Sequence, residues 1–576
     1  MTPVPRQDPA FERALAECAR EPIHVIGAVQ PPGVLLAYHR RDLRILAASA
    51  NAVELFDAGD LAGLLHQPLD HFLDHTALDA INAVLARGDA GASQYACSTN
   101  AGLSGSLYDV STHADGDLVH VELEPSGLGQ PLQGGHAMVA DLDAAAGGPG
   151  FLPGIARQVQ RISGYDRVMV YRFLPDYSGE VVAEALAGGL ASYDGLRYPA
   201  SDIPPQARAL YLRNRVRVIA DVDAAPQPVL QSPELAEPLD MSFDVLRAVS
   251  PVHLQYLRNM GVRASMSISL VVDGRLWGLV ACHHGAPRPV GAHQRAALEM
   301  VGRHASMILD AHELRERARA DAVRRSQRDA LEGRLHRAAD PAALLPGVMD
   351  LVLGAVDADG VAVCRDGAWH VHGAVPDSKG LAHALAWAGT QGHSGAAATA
   401  QGTDWHPDPP LAASGLFALP LGQGRGGWLL LFRREQRQTL RWAGRPDRPF
   451  QIDPDGTRIG PRASFDAWEE DVHATSAPWS GRDFEFARRL RMILERYVPA
   501  HEGDGCGDAD GDIEPDADAP MRRWDAREQA ERLRRLAELL DGASPDRTRL
   551  QRMRGLLAQM EEELGALADA RDGAVS

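Results

Sequence analysis

Apolar and polar positions fall into three mixed blocks, joined by one long helical stretch. In residues 20–124 short apolar runs sit between turn signals: Val34-Leu-Leu-Ala-Tyr38, Leu43-Arg-Ile-Leu-Ala-Ala48 and Leu118-Val-His-Val-Glu-Leu123. A helix-like stretch, Ala77–Ala86, lies among them, so this block reads as a modest α+β unit. Residues 125–150 are rich in Gly and Ala with scattered Pro and read as a linker. In residues 150–310, Phe151–Ser163 has helical amphipathicity and Val168-Met-Val-Tyr-Arg-Phe173 reads as a strand. Ser265-Met-Ser-Ile-Ser-Leu-Val-Val272 alternates with period two, and Asp273-Gly274 turns it into Leu276-Trp-Gly-Leu-Val-Ala-Cys-His283. Asp-Gly between such runs predicts a hairpin. The serine face of its first strand is either a solvated edge or the polar wall of a pocket.

From Ala292 to about Leu335 the chain is nearly free of Gly and Pro. Met300, Ala305, Ile308, Leu309, Ala311 and Leu314 form an apolar stripe, and Arg315–Arg337 is dominated by Arg, Ala and Glu. This predicts a rod of about 60 Å at ~1.5 Å per residue, suited to joining domains and to dimerising. Residues 340–498 form a third α+β block, interrupted by Arg434–Pro478, rich in Arg, Trp, Pro and Gly. A long excursion of this kind in a compact domain is functional or disordered. Residues 501–520 carry eight acidic residues and no Lys or Arg, the composition of a disordered linker. Two helices are predicted after it. The second carries Leu550, Met553, Leu557, Met560, Leu564 and Leu567, a short heptad seam that expects a second copy or a partner. The expected fold class is therefore α+β: three α+β modules on a helical spine, with a C-terminal helical hairpin.

Composition narrows the function. The chain has 576 residues and a formal net charge of -19, with 77 acidic against 58 basic residues. Binding to a phosphate backbone needs a basic face, so nucleic acid is not an expected partner. No apolar run reaches the ~18 residues of a membrane span, and the N-terminus lacks the pattern of a signal peptide; no membrane association and a cytoplasmic location are expected. Five cysteines, at 18, 97, 282, 364 and 506, are scattered, which argues against a disulfide framework or a CxxC metal site. Cys282-His283-His284 cannot converge on one ion from a strand. No metal site and no catalytic residue are expected. Lys379 is the only lysine, and no P-loop is present, which removes most lysine chemistry.

Certain motifs remain. Cys18-x-x-Glu-Pro-Ile-His24 leads into Ile26-Gly-Ala-Val-Gln-Pro-x-Gly33. Downstream come Tyr171-Arg-Phe173, Gly179-Glu-Val-Val-Ala-Glu184 and Arg197-Tyr-Pro-Ala-Ser-Asp-Ile-Pro204. Then follow Leu246-Arg-Ala-Val-Ser-Pro251, His253-Leu-Gln-Tyr-Leu-Arg-Asn-Met-Gly261 and Cys282-His283, and finally Trp442-Ala-Gly-Arg-Pro446 and Pro461-Arg-Ala-Ser-Phe465. On residue chemistry alone, Asp202 before a turn is as readily a cap as a functional acid. Ser250-Pro251 opens a helix on which His253 and Tyr256, i and i+3, share a face. Taken together and in this order, the motifs resemble the bacterial phytochromes, or bacteriophytochromes, over roughly residues 10–498.

The resemblance implies a red/far-red photoreceptor that carries biliverdin IXα, a linear tetrapyrrole, thioether-linked to Cys18. It implies PAS at 21–128 after an N-terminal segment 1–20, a linker at 129–149 and a bilin-binding GAF at 150–310. A connecting helix at 292–335 and PHY at 338–498 follow, with a tongue at about 434–480. The acidic linker then covers 499–520 and the helical pair 521–571. The N-terminal segment would thread a loop of the GAF unit and so bring Cys18 to the pocket. The Asp202 backbone carbonyl would accept the pyrrole protons, with Ile203 and Pro204 shaping that turn. The Asp202 carboxylate would meet Arg462 of the tongue, where Ser464 and Trp442 also lie; Ala443 stands where Gly is usual. His253, beside Tyr256, would exchange the pyrrole proton, and His283 would bond the ring D carbonyl. Arg217 and Arg247 would clamp the propionates, helped by Ser265 and Ser267. Tyr171, Tyr198 and Tyr211 would enclose ring D. Light would rotate ring D, break its bond to His283 and refold the tongue.

A homodimer through the long helix and C-terminal heptads, and a signalling partner protein, are implied as output. Many relatives end in a histidine kinase. After Pro499 this chain has no His beyond His501 and no Asp-x-Gly-x-Gly lid, so the expectation is that it is not an enzyme apart from autocatalytic bilin attachment. Two alternatives stand beside this reading: a light-regulated histidine kinase with an unrecognised ATPase, and a PAS/GAF ligand sensor without bilin.

Overall fold

The computed structural model describes residues 20–87, 92–102, 104–127, 142–340, 345–365, 368–391, 395–407, 413–421, 427–445, 451–452, 459–460 and 464–497. Cys18, Arg462, the acidic linker and the C-terminal helical pair lie outside these residues. The fold divides into two compact units, residues 1–317 with 439–471, and residues 318–438 with 472–576.

The first unit holds two large sheets. One has seven strands: β1 (Ala28–Val29), β2 (Val34–His39), β3 (Ile45–Ser49), β4 (Gln94–Ala101), β5 (Ser106–Asp115), β6 (Leu118–Pro125) and β11 (Gln227–Gln231), in the order β1-β11-β3-β2-β6-β5-β4. The short helix α1 (Ala52–Phe56) and α2 (His75–Ala86) belong to it, and Asp74 caps α2 by accepting from the Ala77 N–H at 2.8 Å. Residues Leu36, Ile45, Ile81, Val110 and Val121 lie in its core. The strand β11 is far removed in sequence from its neighbours, and its pairing interlocks the segment near Val29 with residues 227–248. Val29 bridges to Arg247, and Gln30 donates from its side-chain amide to the Val218 and Arg247 carbonyls.

The second sheet contains β7 (Arg167–Phe173), β8 (Gly179–Leu186), β9 (Arg197–Tyr198), β10 (Val216–Ile219), β12 (Ala264–Val272) and β13 (Arg275–His284). It is extended by β19 (Gln438–Ala443) and β22 (Ala467–Val472), in the order β10-β12-β13-β7-β8-β9-β19-β22. Between these last two, β20 (Gln451–Ile452) and β21 (Ile459–Gly460) pair as a short antiparallel ribbon. The Asp273-Gly274 turn has φ of 52° and 69°, as a two-residue hairpin requires. Helix α3 (Phe151–Ser163) covers one face of this sheet, with Ile155, Val159, Val168, Val170, Met266, Ile268, Val280 and Cys282 in one core. Helices α4 (Pro205–Arg213) and α5 (Pro251–Asn259) are each opened by proline at the first turn. Trp442 of β19 pairs in parallel with Arg197 of β9, so the ends of the excursion predicted at 434–478 extend this sheet.

Helix α6 (Ala292–Arg337) is 46 residues long. Its early residues Leu298, Val301, Ala305 and Leu309 belong to the core of the first unit. Its late residues Leu331 and Leu335 belong to that of the second. The second unit is a five-stranded sheet with flanking helices. Its strands are β14 (Gly360–Arg365), β15 (Ala368–Gly373), β16 (Ala397–Thr399), β17 (Gly415–Pro420) and β18 (Trp428–Arg433), ordered β15-β14-β18-β17-β16. Helices α7 (Met349–Val356), α8 (Ser378–Thr390) and α9 (Gly481–Tyr497) complete it. The chain thus has the expected α+β class with a helical spine. Among the described residues no helix is long and apolar enough to cross a membrane.

Candidate functional site

The period-two rule fixes the site's inner wall. Across the second sheet, Arg217 on β10 is opposite Ser267 on β12, which is opposite Ala281 on β13 and then Met169 on β7. Two residues along, Ser265 is opposite His283. The intervening Met266, Cys282 and Val168 point into the core, so the serines, Arg217 and His283 all stand on the other face. Helices α4 and α5 and the turn at Pro199–Pro204 wall this face into a cavity of about 230 Å³.

All thirteen residues assigned by the resemblance to the chromophore wall line this one cavity: Tyr171, Tyr198, Asp202, Ile203, Pro204, Tyr211, Arg217, Arg247, His253, Tyr256, Ser265, Ser267 and His283. The sequence reading missed Glu21, Ile23, Met169, Leu210, Met260 and Leu279 on the same wall. Met169 and Leu279 could have been found from alternation with Tyr171 and His283; Glu21 and Ile23 belong to the Cys18-x-x-Glu-Pro-Ile-His24 motif, but nothing in its local pattern puts them on this wall. Phe465 is a further omission. Its ring meets Tyr256 edge-on at 5.1 Å and 86°.

Asp202 closes a short 3₁₀ turn, Ala200–Asp202, and Ile203 ahead of Pro204 is held at φ −127°, ψ 87°. This geometry makes Asp202 a wall residue and not a helix cap. The Tyr256 hydroxyl donates to its carboxylate at 2.9 Å. His253 stacks beside Tyr256, with centroids 6.0 Å apart and planes 13° apart, as their i, i+3 spacing predicts. Burial, helped by the Arg217 charge, pulls the His253 pKa down to about 4, so its imidazole is neutral near pH 7. Burial, with Arg167 and His253, pulls His283 down to about 3. His284, one residue on, instead pairs with Asp166 at 2.8 Å.

The two arginines differ. Arg217 donates to the carbonyls of Val245 (3.1 Å), Ala248 (2.9 Å) and Arg247. It braces that segment, and burial next to Arg247 lowers its pKa to about 9. Arg247 is buried and its Nη1 has no hydrogen-bond partner among the described residues. Tyr171 fits over Gly179, where any Cβ would fall 1.7 Å from the ring. It packs edge-on against Tyr198 (5.9 Å) and Phe173 (5.3 Å), in a cluster that also buries Ala443. Trp442 donates from its indole to Glu470 at 2.8 Å, while Ser464 is exposed and turns locally onto Asp466 at 3.2 Å.

The donor set fits an elongated, conjugated molecule carrying carboxylates. Aromatic and aliphatic walls lead to a cationic corner made by Arg217, Arg247, Ser265 and Ser267. Two buried nitrogens, His283 Nδ1 and Arg247 Nη1, have no hydrogen-bond partner among the described residues. Buried polar groups of this kind call for a ligand's hydrogen bonds.

Comparison with known proteins assigns the family. Residues 18–126 match the PAS fold, 150–309 the GAF domain and 324–502 the phytochrome region. A bacteriophytochrome of Xanthomonas campestris is 36% identical over 83% of this chain and 78% of its own. One of Pseudomonas aeruginosa is 34% identical over 84% of this chain, which spans 67% of that relative. The crystal structure of bacteriophytochrome RpBphP3 from R. palustris superposes with a TM-score of 0.70 at 34% identity, covering 84% of this chain and 99% of that one. The photosensory core module of the Stigmatella aurantiaca phytochrome does so at 0.69 and 34%.

These relatives correct one expectation, that the chain is not an enzyme. Members of this family typically are histidine kinases, and the parts matched here are the photosensory modules. Missing phosphoacceptor and ATP-lid motifs therefore decide nothing about catalysis. The ordered motifs, the wall of the cavity and relatives at 34–36% identity together place the chain among the bacteriophytochromes, light photoreceptors built on a linear tetrapyrrole.

Proposed function

We propose that this chain is a cytoplasmic red/far-red photoreceptor that binds biliverdin IXα in the cavity through a thioether to Cys18, switches between two photostates and signals to a partner protein. The observation that carries this is the convergence of His253, His283, Asp202, Arg247, Ser265 and Ser267 on one aromatic-walled cavity. When bound, the tetrapyrrole supplies the visible absorption and the double bond that light isomerises. The chain's residues do the rest. Arg247, Ser265 and Ser267 are assigned to the propionates, with Arg217 holding the Arg247 segment in place and adding charge. The neutral His253 imidazole and the Asp202 backbone carbonyl are assigned to the pyrrole protons, and His283 to the terminal carbonyl. Tyr171, Tyr198 and Tyr211 enclose that end, while Ile203 and Pro204 fix the turn that carries Asp202.

The Asp202 carboxylate, oriented by Tyr256, is the assigned latch to the tongue, with Arg462 as its counter-charge and Trp442 and Ser464 nearby. Phe465 against Tyr256 supports a tongue that reads this wall. Glu21 and Ile23 on the wall support Cys18 as the attachment site. The module limits we assign are PAS 21–128, GAF 150–310 and PHY 338–498, with the output in residues 521–571. Exposed Met300, Met307 and Leu314, seven residues apart along α6, support a homodimer through this helix. The test is Cys18→Ser, expressed with biliverdin and denatured in acid urea. The parent keeps its pigment on the chain and the variant releases it; retention by the variant would overturn the attachment site.

A further inference from the structure

The seven-stranded sheet holds a cluster of titratable groups that light sensing does not use. His113 on β5 and His120 on β6 stand directly opposite each other across the antiparallel ladder. Cross-strand partners share a face, and here their ring centroids lie 4.5 Å apart with planes at 39°. Asp244, from the segment between β11 and α5, supplies a carboxylate. Its Oδ1 is 3.0 Å from His120 Nδ1 and 3.8 Å from His113 Nδ1. All three side chains are fully shielded from solvent. Phe243 packs edge-on against His113 at 5.7 Å.

A simple His120–Asp244 hydrogen bond accounts for only part of this. Both ring nitrogens of His113 and Nε2 of His120 are buried with no hydrogen-bond partner among the described residues. Such orphans are costly, and a phenylalanine would fill the His113 site without them.

We propose that His113, His120 and Asp244 form a divalent transition-metal site of the zinc class, which ties the seven-stranded sheet to the segment bearing Arg247. Two imidazoles and a carboxylate are a fitting donor set for zinc. Bonds of ~2.0–2.2 Å in a tetrahedron hold ligand atoms ~3.3 Å apart, and the two carboxylate–imidazole distances bracket that edge. One ligand atom from each residue falls within 4.8 Å of the other two. A water is the expected fourth ligand. Glu122 lies in the same buried region, where the Leu246 and Val245 N–H groups donate to it at 2.7 and 3.1 Å. Asp244 lies three residues before Arg247, at the start of the segment whose Val245, Arg247 and Ala248 carbonyls accept from Arg217.

The test uses the full chain, stripped with EDTA and then equilibrated with zinc chloride alone. One zinc per chain is expected by elemental analysis, with a melting temperature several degrees above that in EDTA. Asp244→Asn should weaken uptake tenfold or more. His113→Phe keeps a buried ring and should melt in EDTA at or above the parent, yet also lose zinc at least tenfold. Uptake below a tenth of an equivalent by the parent would reduce the cluster to an ion pair and overturn the site. Parent-like uptake by His113→Phe would place the zinc on other histidines and overturn it equally.

Discussion

Replacing Gly179 with alanine tests the seat of the Tyr171 ring. The backbone at Gly179 is not left-handed, and alanine in a strand gains roughly 0.5–1 kcal/mol over glycine from backbone entropy. Without a steric obstacle the substitution would stabilise the unit. The obstacle is the tyrosine ring: a methyl would lie 1.7 Å from Cζ, 2.0 Å from the hydroxyl oxygen and 2.2 Å from Cε1. Tyr171 cannot simply swing aside, because Tyr198 and Phe173 pack on it edge-on and the cluster buries Met169, Val181 and Ala443. Overpacking of this kind costs about 1–3 kcal/mol. A clash as close as 1.7 Å belongs in the upper part of that range, so net of the backbone gain roughly 1–2.5 kcal/mol is lost, and at ~2–4 °C per kcal/mol melting should drop by roughly 2–10 °C. Combining Gly179→Ala with Tyr171→Ala removes the clash, and in that background the alanine should be neutral or stabilising. Thermal melting of the four chains completes the cycle. If Gly179→Ala alone melts at or above the parent, the ring is not seated on Gly179 and the described wall is wrong.

Other outcomes follow from the same geometry. Phe465→Ala removes the ring packed on Tyr256 at a cost of about 1–3 kcal/mol. Hydrogen exchange in β19 and β22 should then speed up about tenfold or more, whereas unchanged exchange would detach the tongue from this wall. Glu124→Gln leaves Arg295, bonded to both carboxylate oxygens at 2.6 and 2.7 Å, as a buried unpaired charge. It should lose about 3–5 kcal/mol, while Glu124→Leu with Arg295→Met recovers most of that; equal losses would show that the charge pair is not what matters. For pH the sign is set by His253, whose folded pKa of about 4 lies below its unfolded value of about 6.5. Its contribution to stability is complete above pH 6.5 and is lost as pH falls toward 4, because the unfolded chain binds the extra proton. The bilin-free parent should therefore lose about 2 kcal/mol more than His253→Gln between pH 7 and 5 in urea unfolding, and parallel curves would contradict the buried neutral imidazole.

Much of the fold was legible because it rests on local rules. The hairpin at Asp273-Gly274 needs only φ > 0 at two residues, and α6 needs only a long stretch free of helix breakers. The serine face at 265, 267 and 269 was readable as a face but not as an interior one. Its meaning depends on what α4 and α5 place over it. The pairing of β11 with β1 and β3 had no such signature, since Gln-Pro-Val-Leu-Gln is short, polar and far from its partners in sequence. Phe465 and Glu21 reach the site through tertiary routes that no periodicity encodes. His113, His120 and Asp244 were hidden for the same reason, since one member comes from 124 residues downstream of His120. Arg217 shows a subtler limit. The resemblance pairs it with Arg247 as a carboxylate clamp; its guanidinium donates to three main-chain carbonyls, while Arg247 keeps a buried nitrogen with no partner among the described residues.

The most direct measurement is a pair of absorption spectra of the purified chain after co-expression with a haem oxygenase, one dark and one after red illumination. The account predicts a red to far-red band that shifts reversibly with light and that His283→Ala perturbs. A colourless chain, or a band that illumination leaves unchanged, would contradict it.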